Sequence, residues 1–144
     1  ASASKIEIGD GCMFANSAYV SDADWHGIYD RATPVGKTAP ISLDENVWIG
    51  DRAVVGKGVT IGKNSIVAAG AVVVKNVPSN VVVGGNPARI IKELDPSVDG
   101  NTRIKLFQDP SGLKDLYDQI DRYTLKDNSI FDYIRSILLR NKSH

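Results

Sequence analysis

The sequence has a single cysteine and two histidines among its 144 residues. Cys12 cannot form an internal disulfide, so we expect it to pack as a small apolar side chain in a protein of a reducing, cytoplasmic compartment. A metal site built on three histidines is excluded as well, because His26 is the only histidine before the terminal His144. We therefore predict no metal ion.

The chain also lacks an excess of charge of one sign and a long apolar run. Its 17 basic residues balance 17 acidic ones and form no basic block, which argues against nucleic acid as a partner. The longest apolar stretch, residues 66–74, contains a glycine and is too short to cross a bilayer. No initiator Met, signal peptide or cap precedes the first repeat, so we expect that further sequence lies upstream in the natural protein.

What the sequence does have is a branched aliphatic residue at every sixth position. These anchors are Leu43, Ile49, Val55, Ile61, Val67 and Val73. The residue after the anchor is Gly three times and then Ala, and the residue four places on is always small or apolar. Neither the helix period nor the strand period of two produces this spacing. One short strand and one turn do, and three such units make a triangular coil, which predicts a parallel β-helix. An antiparallel sandwich requires alternation of two instead.

The repeat divides the chain into segments. A first coil begins at Ile8, residues 24–40 break the period as a loop inserted at a corner, and the repeat resumes from Ile41 to about Val83. The tail shows helical spacing of apolar residues, with Ser111 as a possible N-cap and a second helix starting at Asn128 or Ser129. This predicts a β-helix domain at 1–95 and a helical extension at 96–144 that covers apolar surface of the coil or of a neighbouring subunit.

The motifs of the coil resemble those of a known superfamily. The run from Asn-Val-Trp-Ile-Gly at 46–50 to Gly-Asn-Pro-Ala-Arg at 85–89 is similar to the galactoside and maltose O-acetyltransferases of the hexapeptide-repeat acyltransferases. The stretch Asp-Trp-His-Gly-Ile-Tyr-Asp-Arg at 24–31 resembles members that O-acetylate surface polysaccharides. The resemblance implies a left-handed β-helix, acetyl-CoA as a co-substrate with no tightly bound cofactor, a carbohydrate acceptor, and a homotrimer with active sites between subunits.

The resemblance also implies a catalytic base. Acetyl transfer to a hydroxyl needs a group that titrates near neutrality, and His26 lies in the inserted loop, where the family's catalytic histidine lies. It is expected to take the acceptor proton for direct attack on acetyl-CoA, without an acyl-enzyme. Asp24, Asp30 or a backbone carbonyl are alternatives for orienting its other ring nitrogen. The N–H of Gly50 or Asp51 is expected to stabilise the oxyanion.

Further site residues follow from the same resemblance. Trp48 is expected beside the active site, whereas Trp25 and Arg31 are expected to contact the acceptor. Pairing with Asp24 or Asp30 is the alternative for Arg31. The donor contacts fall on Asp51, Ala69, Val74, Lys75, Arg89 and Lys92. Val74 stands where the family often has Thr, and Lys92 stands where Arg is common. Arg89 and Lys92 are expected to supply positive charge for the phosphates of the donor.

Three alternatives compete with O-acetylation of a sugar. An amino-sugar N-acetyltransferase needs the base less, so removing His26 would have a small effect. A non-catalytic trimeric module, or a fragment that has lost its acceptor pocket, is the second alternative, because the family's acceptor-binding residues lie before the catalytic histidine. The third, a β-helical carbonic anhydrase, is excluded by the shortage of histidines.

Overall fold

A computed structural model of the chain describes residues 1–98, 102–126 and 128–140, so His144 lies outside the described residues. The chain divides into two compact units, Ala1–Thr102 and Arg103–His144. The first unit holds the repeat and the inserted loop, and the second holds the helices.

The first unit is a coil of short strands that form three sheets, here called faces A, B and C. Face A has the order β1-β4-β7, face B the order β11-β10-β8-β5-β2, and face C the order β3-β6-β9. All pairs are parallel except β10 with β11. The strands are β1 Ile6–Ile8, β2 Met13–Phe14, β3 Tyr19–Val20, β4 Ile41–Leu43, β5 Trp48–Ile49, β6 Val54–Val55, β7 Thr60–Ile61, β8 Ile66–Val67, β9 Val72–Val73, β10 Val81–Gly84 and β11 Arg89–Glu93.

The anchors form the core of this coil. Leu43 is in register with Ile61, and Ile49 with Val67, so one coil takes 18 residues, or three six-residue units. All six predicted anchors are buried, as are the small residues four places on. Stiff branched side chains stack well on equivalent side chains in the next coil. The predicted parallel β-helix is confirmed.

The last coil is shorter than the others. Val67 is in register with Val83, only 16 residues on, and Ile61 bridges to Val77. The buried Ser65 stabilises this tighter turn, because its hydroxyl donates to Pro78 O at 2.7 Å and accepts from Val81 N at 3.2 Å. β11 then turns back antiparallel along β10 at the edge of face B.

One row of corners carries stacked asparagines. Asn46, Asn64 and Asn80 all have φ near +60°, a conformation that asparagine tolerates better than most residues. The amide of Asn46 donates to Asn64, and that of Asn64 donates to Asn80, each at 3.0 Å. The ladder ties successive coils together on their outer side.

The N-terminal segment, residues 1–5, is held by Asp22. This carboxylate is fully buried and accepts hydrogen bonds from Ser2 Oγ, Ala3 N and Ser4 N at 2.7–2.9 Å. Burial raises the pKa of Asp22, but the hydrogen bonds outweigh it and leave this pKa below its ordinary value.

The second unit contains α1 Ile104–Gln108, α2 Pro110–Leu125 and α3 Ile130–Arg140. The prediction that Ser111 caps α2 is wrong. Asp109 is the N-cap, since its carboxylate accepts from Gly112 N at 3.0 Å and Pro110 fits the first helical position. α3 begins at Ile130, just after the predicted start at Asn128 or Ser129, and Ser129 Oγ accepts from Asp132 N at 3.0 Å. Within the described ranges, no helix has the length and apolar character needed to cross a membrane.

Candidate active site

The inserted loop, residues 24–40, is a two-stranded ribbon at the corner between faces C and A. Gly36 N donates to Asp24 O at 2.6 Å, and His26 forms an antiparallel bridge with Pro34. His26 therefore lies at an isolated bridge of the ribbon, which has no continuous strand of its own, and its side chain is exposed. Paired backbone on a rigid coil gives this imidazole a defined place while leaving it open to a ligand.

Gly36 is a site residue that the sequence analysis missed. A Cβ atom at this position would lie 2.5 Å from His26 O and 3.1 Å from Asp24 O. Only glycine allows the two strands of the ribbon to approach so closely. Its spacing from His26 gives no signal by itself, because the register of the ribbon decides which residues face each other.

The two carboxylates proposed to orient His26 have other partners. Asp24 forms an ion pair with Lys57, and Asp30 accepts hydrogen bonds from Ala32 N and from the backbone and hydroxyl of Thr33. The Thr33 hydroxyl, followed by the backbone hydrogen bonds, lowers the pKa of Asp30. Among the residues that the structure describes, none forms a hydrogen bond or ion pair with the His26 side chain.

The predicted acceptor residues lie on the same loop. Trp25 directly precedes His26, and its Nε1 donates to Tyr19 OH at 3.1 Å while 39% of the residue stays exposed. The hydrogen bond ties the indole to the first coil. Arg31 is exposed and lies within the turn that Asp30 closes by accepting from Ala32 N and Thr33 N. Trp25 and His26 are thus neighbours, and Arg31 lies further along the loop.

Trp48 lies elsewhere, on the outer side of face B. It is in register with Met13 and Ile66, and the three line a groove of about 800 Å³ together with the asparagine ladder and residues 92–98. Lys92 also lines this groove. Because face B does not adjoin the corner between faces C and A, a single chain does not bring Trp48 to His26.

The remaining donor residues fall in two places. Asp51 and Ala69 stack at the corner between faces B and C, where Gly70 N donates to Asp51 O at 2.8 Å. Lys75 and Arg89 line a cavity of about 240 Å³ at the last coil, close to the exposed Val74.

The two expected oxyanion donors differ in availability. Gly50 N already donates to Val67 O at 2.8 Å as part of the ladder. This bond commits the amide of Gly50 to the coil, so Asp51 is the remaining donor of the two.

Comparisons with known proteins agree with the repeat and the fold. Residues 40–75 match the family described as bacterial transferase hexapeptide (six repeats). The chain is 38% identical over 92 residues to galactoside O-acetyltransferase of Escherichia coli (strain K12), which covers 62% of this chain and 45% of that protein. It is 51% identical over 71 residues to 2,3,4,5-tetrahydropyridine-2,6-dicarboxylate N-acetyltransferase of Clostridium perfringens (strain SM101 / Type A). That match covers 49% of this chain and 30% of the relative.

A solved structure of galactoside acetyltransferase in complex with coenzyme A is similar in fold, with a TM-score of 0.57 and 38% identity. The match covers 62% of this chain and 46% of that one. The chain thus spans less than half the length of these relatives. The likeness confirms the left-handed β-helix and the predicted resemblance to hexapeptide-repeat transferases.

Proposed function

We propose that this chain, which carries the hexapeptide repeat of the bacterial transferases, acts as an O-acetyltransferase that uses acetyl-CoA. The acceptor is a sugar hydroxyl of a surface polysaccharide or of its precursor, modified in the cytoplasm. One observation supports this proposal above the others. The exposed His26 is held on a paired ribbon at a corner of the coil, with the aromatic Trp25 beside it.

The proposed reaction is a direct transfer. His26 takes the proton of the acceptor hydroxyl while the oxygen attacks the thioester carbonyl of acetyl-CoA. The tetrahedral intermediate then collapses, the C–S bond breaks, and the proton on His26 passes to the leaving sulfur. Asp51 N–H is proposed to stabilise the oxyanion, and Trp48 to lie beside the thioester. Asp24 is proposed to support His26, and Arg31 to contact the acceptor.

Acetyl-CoA enters as a co-substrate. Lys75 and Arg89 share one cavity, and two cations there suit the phosphates of the donor. The similar structure of galactoside acetyltransferase was solved in complex with coenzyme A. The proposed donor contacts are Asp51, Ala69, Val74, Lys75, Arg89 and Lys92.

We also propose that the active site forms between copies of the chain in a homotrimer. His26 lies at the corner between faces C and A, whereas Trp48 lies on face B, which does not adjoin that corner. A site that contains both residues therefore needs a second copy of the chain. The outer side of face B carries Met13, Trp48 and Ile66, an apolar row suited to a subunit contact.

The test measures release of free CoA thiol with a panel of sugars, amino sugars and oligosaccharides. With hydroxyl acceptors, His26→Ala is expected to lower kcat by about 10²–10⁴-fold, the usual contribution of a general base. Binding of acetyl-CoA, followed by calorimetry, should not change. Tyr29→Ala is the matched control, because Tyr29 is fully exposed on the same loop.

Other outcomes would contradict the proposal. Turnover restricted to amine acceptors, with little effect of His26→Ala, would identify an N-acetyltransferase, and the Clostridium perfringens relative carries that activity in its name. Binding of acetyl-CoA without turnover on any acceptor would indicate a non-catalytic module or a fragment without its acceptor pocket.

A further inference from the structure

We propose that Lys57 is a positioning residue for His26, which it serves through the ion pair with Asp24. This inference rests on the proposed function. Lys57 follows β6 in the second coil, and Asp24 lies two residues before His26. The pair therefore connects the scaffold to the strand that carries the base.

This ion pair is better shielded than the others in the described part of the chain. The side chains of Lys57 and Asp24 are 30% and 39% exposed, against about 60% for both partners of Lys63–Glu45. Shielding from water strengthens a charge pair, whereas fully exposed pairs contribute little. The Lys57–Asp24 pair is thus the one expected to restrain its surroundings.

The backbone explains how the restraint reaches His26. Asp24 N donates to Lys37 O at 2.9 Å, and Asp24 O accepts from Gly36 N, so both backbone groups of Asp24 are bonded to the opposing segment of the ribbon. The other end of the loop is attached next to Lys57, where Gly58 N donates to Ala39 O at 3.1 Å. Both ends of the loop are therefore tied to residues 57–58.

The arrangement gives Asp24 a different role from that of a direct partner of the imidazole. Its carboxylate contacts Lys57, and the His26 ring receives no bond from it within the described residues. The ion pair sets the position of the His26 backbone, and the ring then meets the acceptor. A displacement of about 1 Å in such a group can cost about a hundredfold in rate.

The experiment compares Lys57→Met, Lys57→Arg, Asp24→Asn and the double variant Lys57→Met with Asp24→Asn. We expect Lys57→Met to lower kcat about tenfold or more and to leave KM for acetyl-CoA unchanged, because Lys57 is not one of the proposed donor contacts. Lys57→Arg should keep most of the activity. The double variant should be no worse than the poorer single variant, since both remove the same interaction. Lys63→Met, which breaks the exposed pair with Glu45, is the matched control.

A second readout does not depend on activity. Trypsin cleavage after Arg31, followed by mass spectrometry, reports how often the ribbon opens. Lys57→Met should speed this cleavage several-fold, whereas Lys63→Met should not. If no acceptor supports turnover, the proposed function fails, and this assay alone decides whether Lys57 holds the loop.

Two results would overturn the inference. One is unchanged cleavage after Arg31 together with normal kcat in Lys57→Met. The other is a large loss in Asp24→Asn that Lys57→Met does not share, because Asp24 would then act on His26 directly.

Discussion

The coil at residues 41–83 and the loop at residues 24–40 are ordered by different forces. In the coil, stacked branched side chains are removed from water one layer after another. The loop buries almost none of its side chains and is held by backbone pairing, one ion pair and single hydrogen bonds. Burial in the coil is shared among many stacked anchors, whereas a few specific contacts place His26. The molecule thus separates the region that provides stability from the region that carries the proposed chemistry.

The sharpest test of this contrast removes one aliphatic side chain from each region. Ile61→Ala in the coil should lower the free energy of unfolding by about 2–5 kcal/mol, because it leaves a cavity among buried anchors. Ile28→Ala in the loop should change it by less than about 0.5 kcal/mol, since Ile28 is mostly exposed. Urea unfolding followed by circular dichroism measures both. Equal effects would mean that the loop contributes to the core.

The next change exchanges one glycine in each region for alanine. Gly36→Ala should lower kcat by up to about a hundredfold, because the new Cβ meets His26 O and must displace the ribbon. Gly56→Ala in the coil is the control, as its Cβ would lie 3.4 Å from Val73 O, an ordinary contact. Thiol release and thermal unfolding distinguish the two effects. Normal turnover in Gly36→Ala would show that the ribbon adapts without moving the base.

The same contrast explains what could be predicted from the sequence. The anchors, their burial and the parallel coil follow from the six-residue period, because one rule applies at every layer. The pattern alone does not distinguish Gly50 from Gly56, although a Cβ at Gly50 would lie 2.6 Å from Val67 O. Nor does it show the shortened last coil, where Val77 bridges to Ile61. These features depend on how neighbouring coils approach each other.

The site was harder to predict than the coil. The family resemblance and its place in the loop single out His26, and Trp25 is predicted to contact the acceptor. Gly36 and Lys57 gave no signal, because their importance comes from the register of the ribbon and from a contact with a different coil. The roles of His26, Trp48 and the donor residues stay predictions. Pairwise contacts of this kind are not periodic, so spacing along the chain does not reveal them.

The smallest expected effect is at the junction of the two regions, where Asp22 lies between β3 and the loop. Its pKa is lowered in the folded protein, so the stability that it contributes is present above the pKa of an unfolded aspartate, about 3.9. That contribution is lost as the pH falls through the folded-state pKa. Asp22→Asn should therefore reduce the free energy of unfolding at pH 7. It should also make the fall of this free energy below pH 4 less steep, by an amount that corresponds to less than one proton. Urea unfolding at a series of pH values measures this slope.

Ser2→Ala provides a graded companion, because it removes one hydrogen bond to Asp22 and leaves the backbone ones. Ser2→Ala should make the fall of the free energy of unfolding at low pH less steep, but by less than Asp22→Asn does, since Ala3 N and Ser4 N still favour the charged carboxylate. An acid slope that is the same in the wild type and in Asp22→Asn would assign the decline to other carboxylates. In that case the charge of Asp22 would not help to hold the N-terminal segment, and the junction would differ from the loop, where the Lys57–Asp24 ion pair acts.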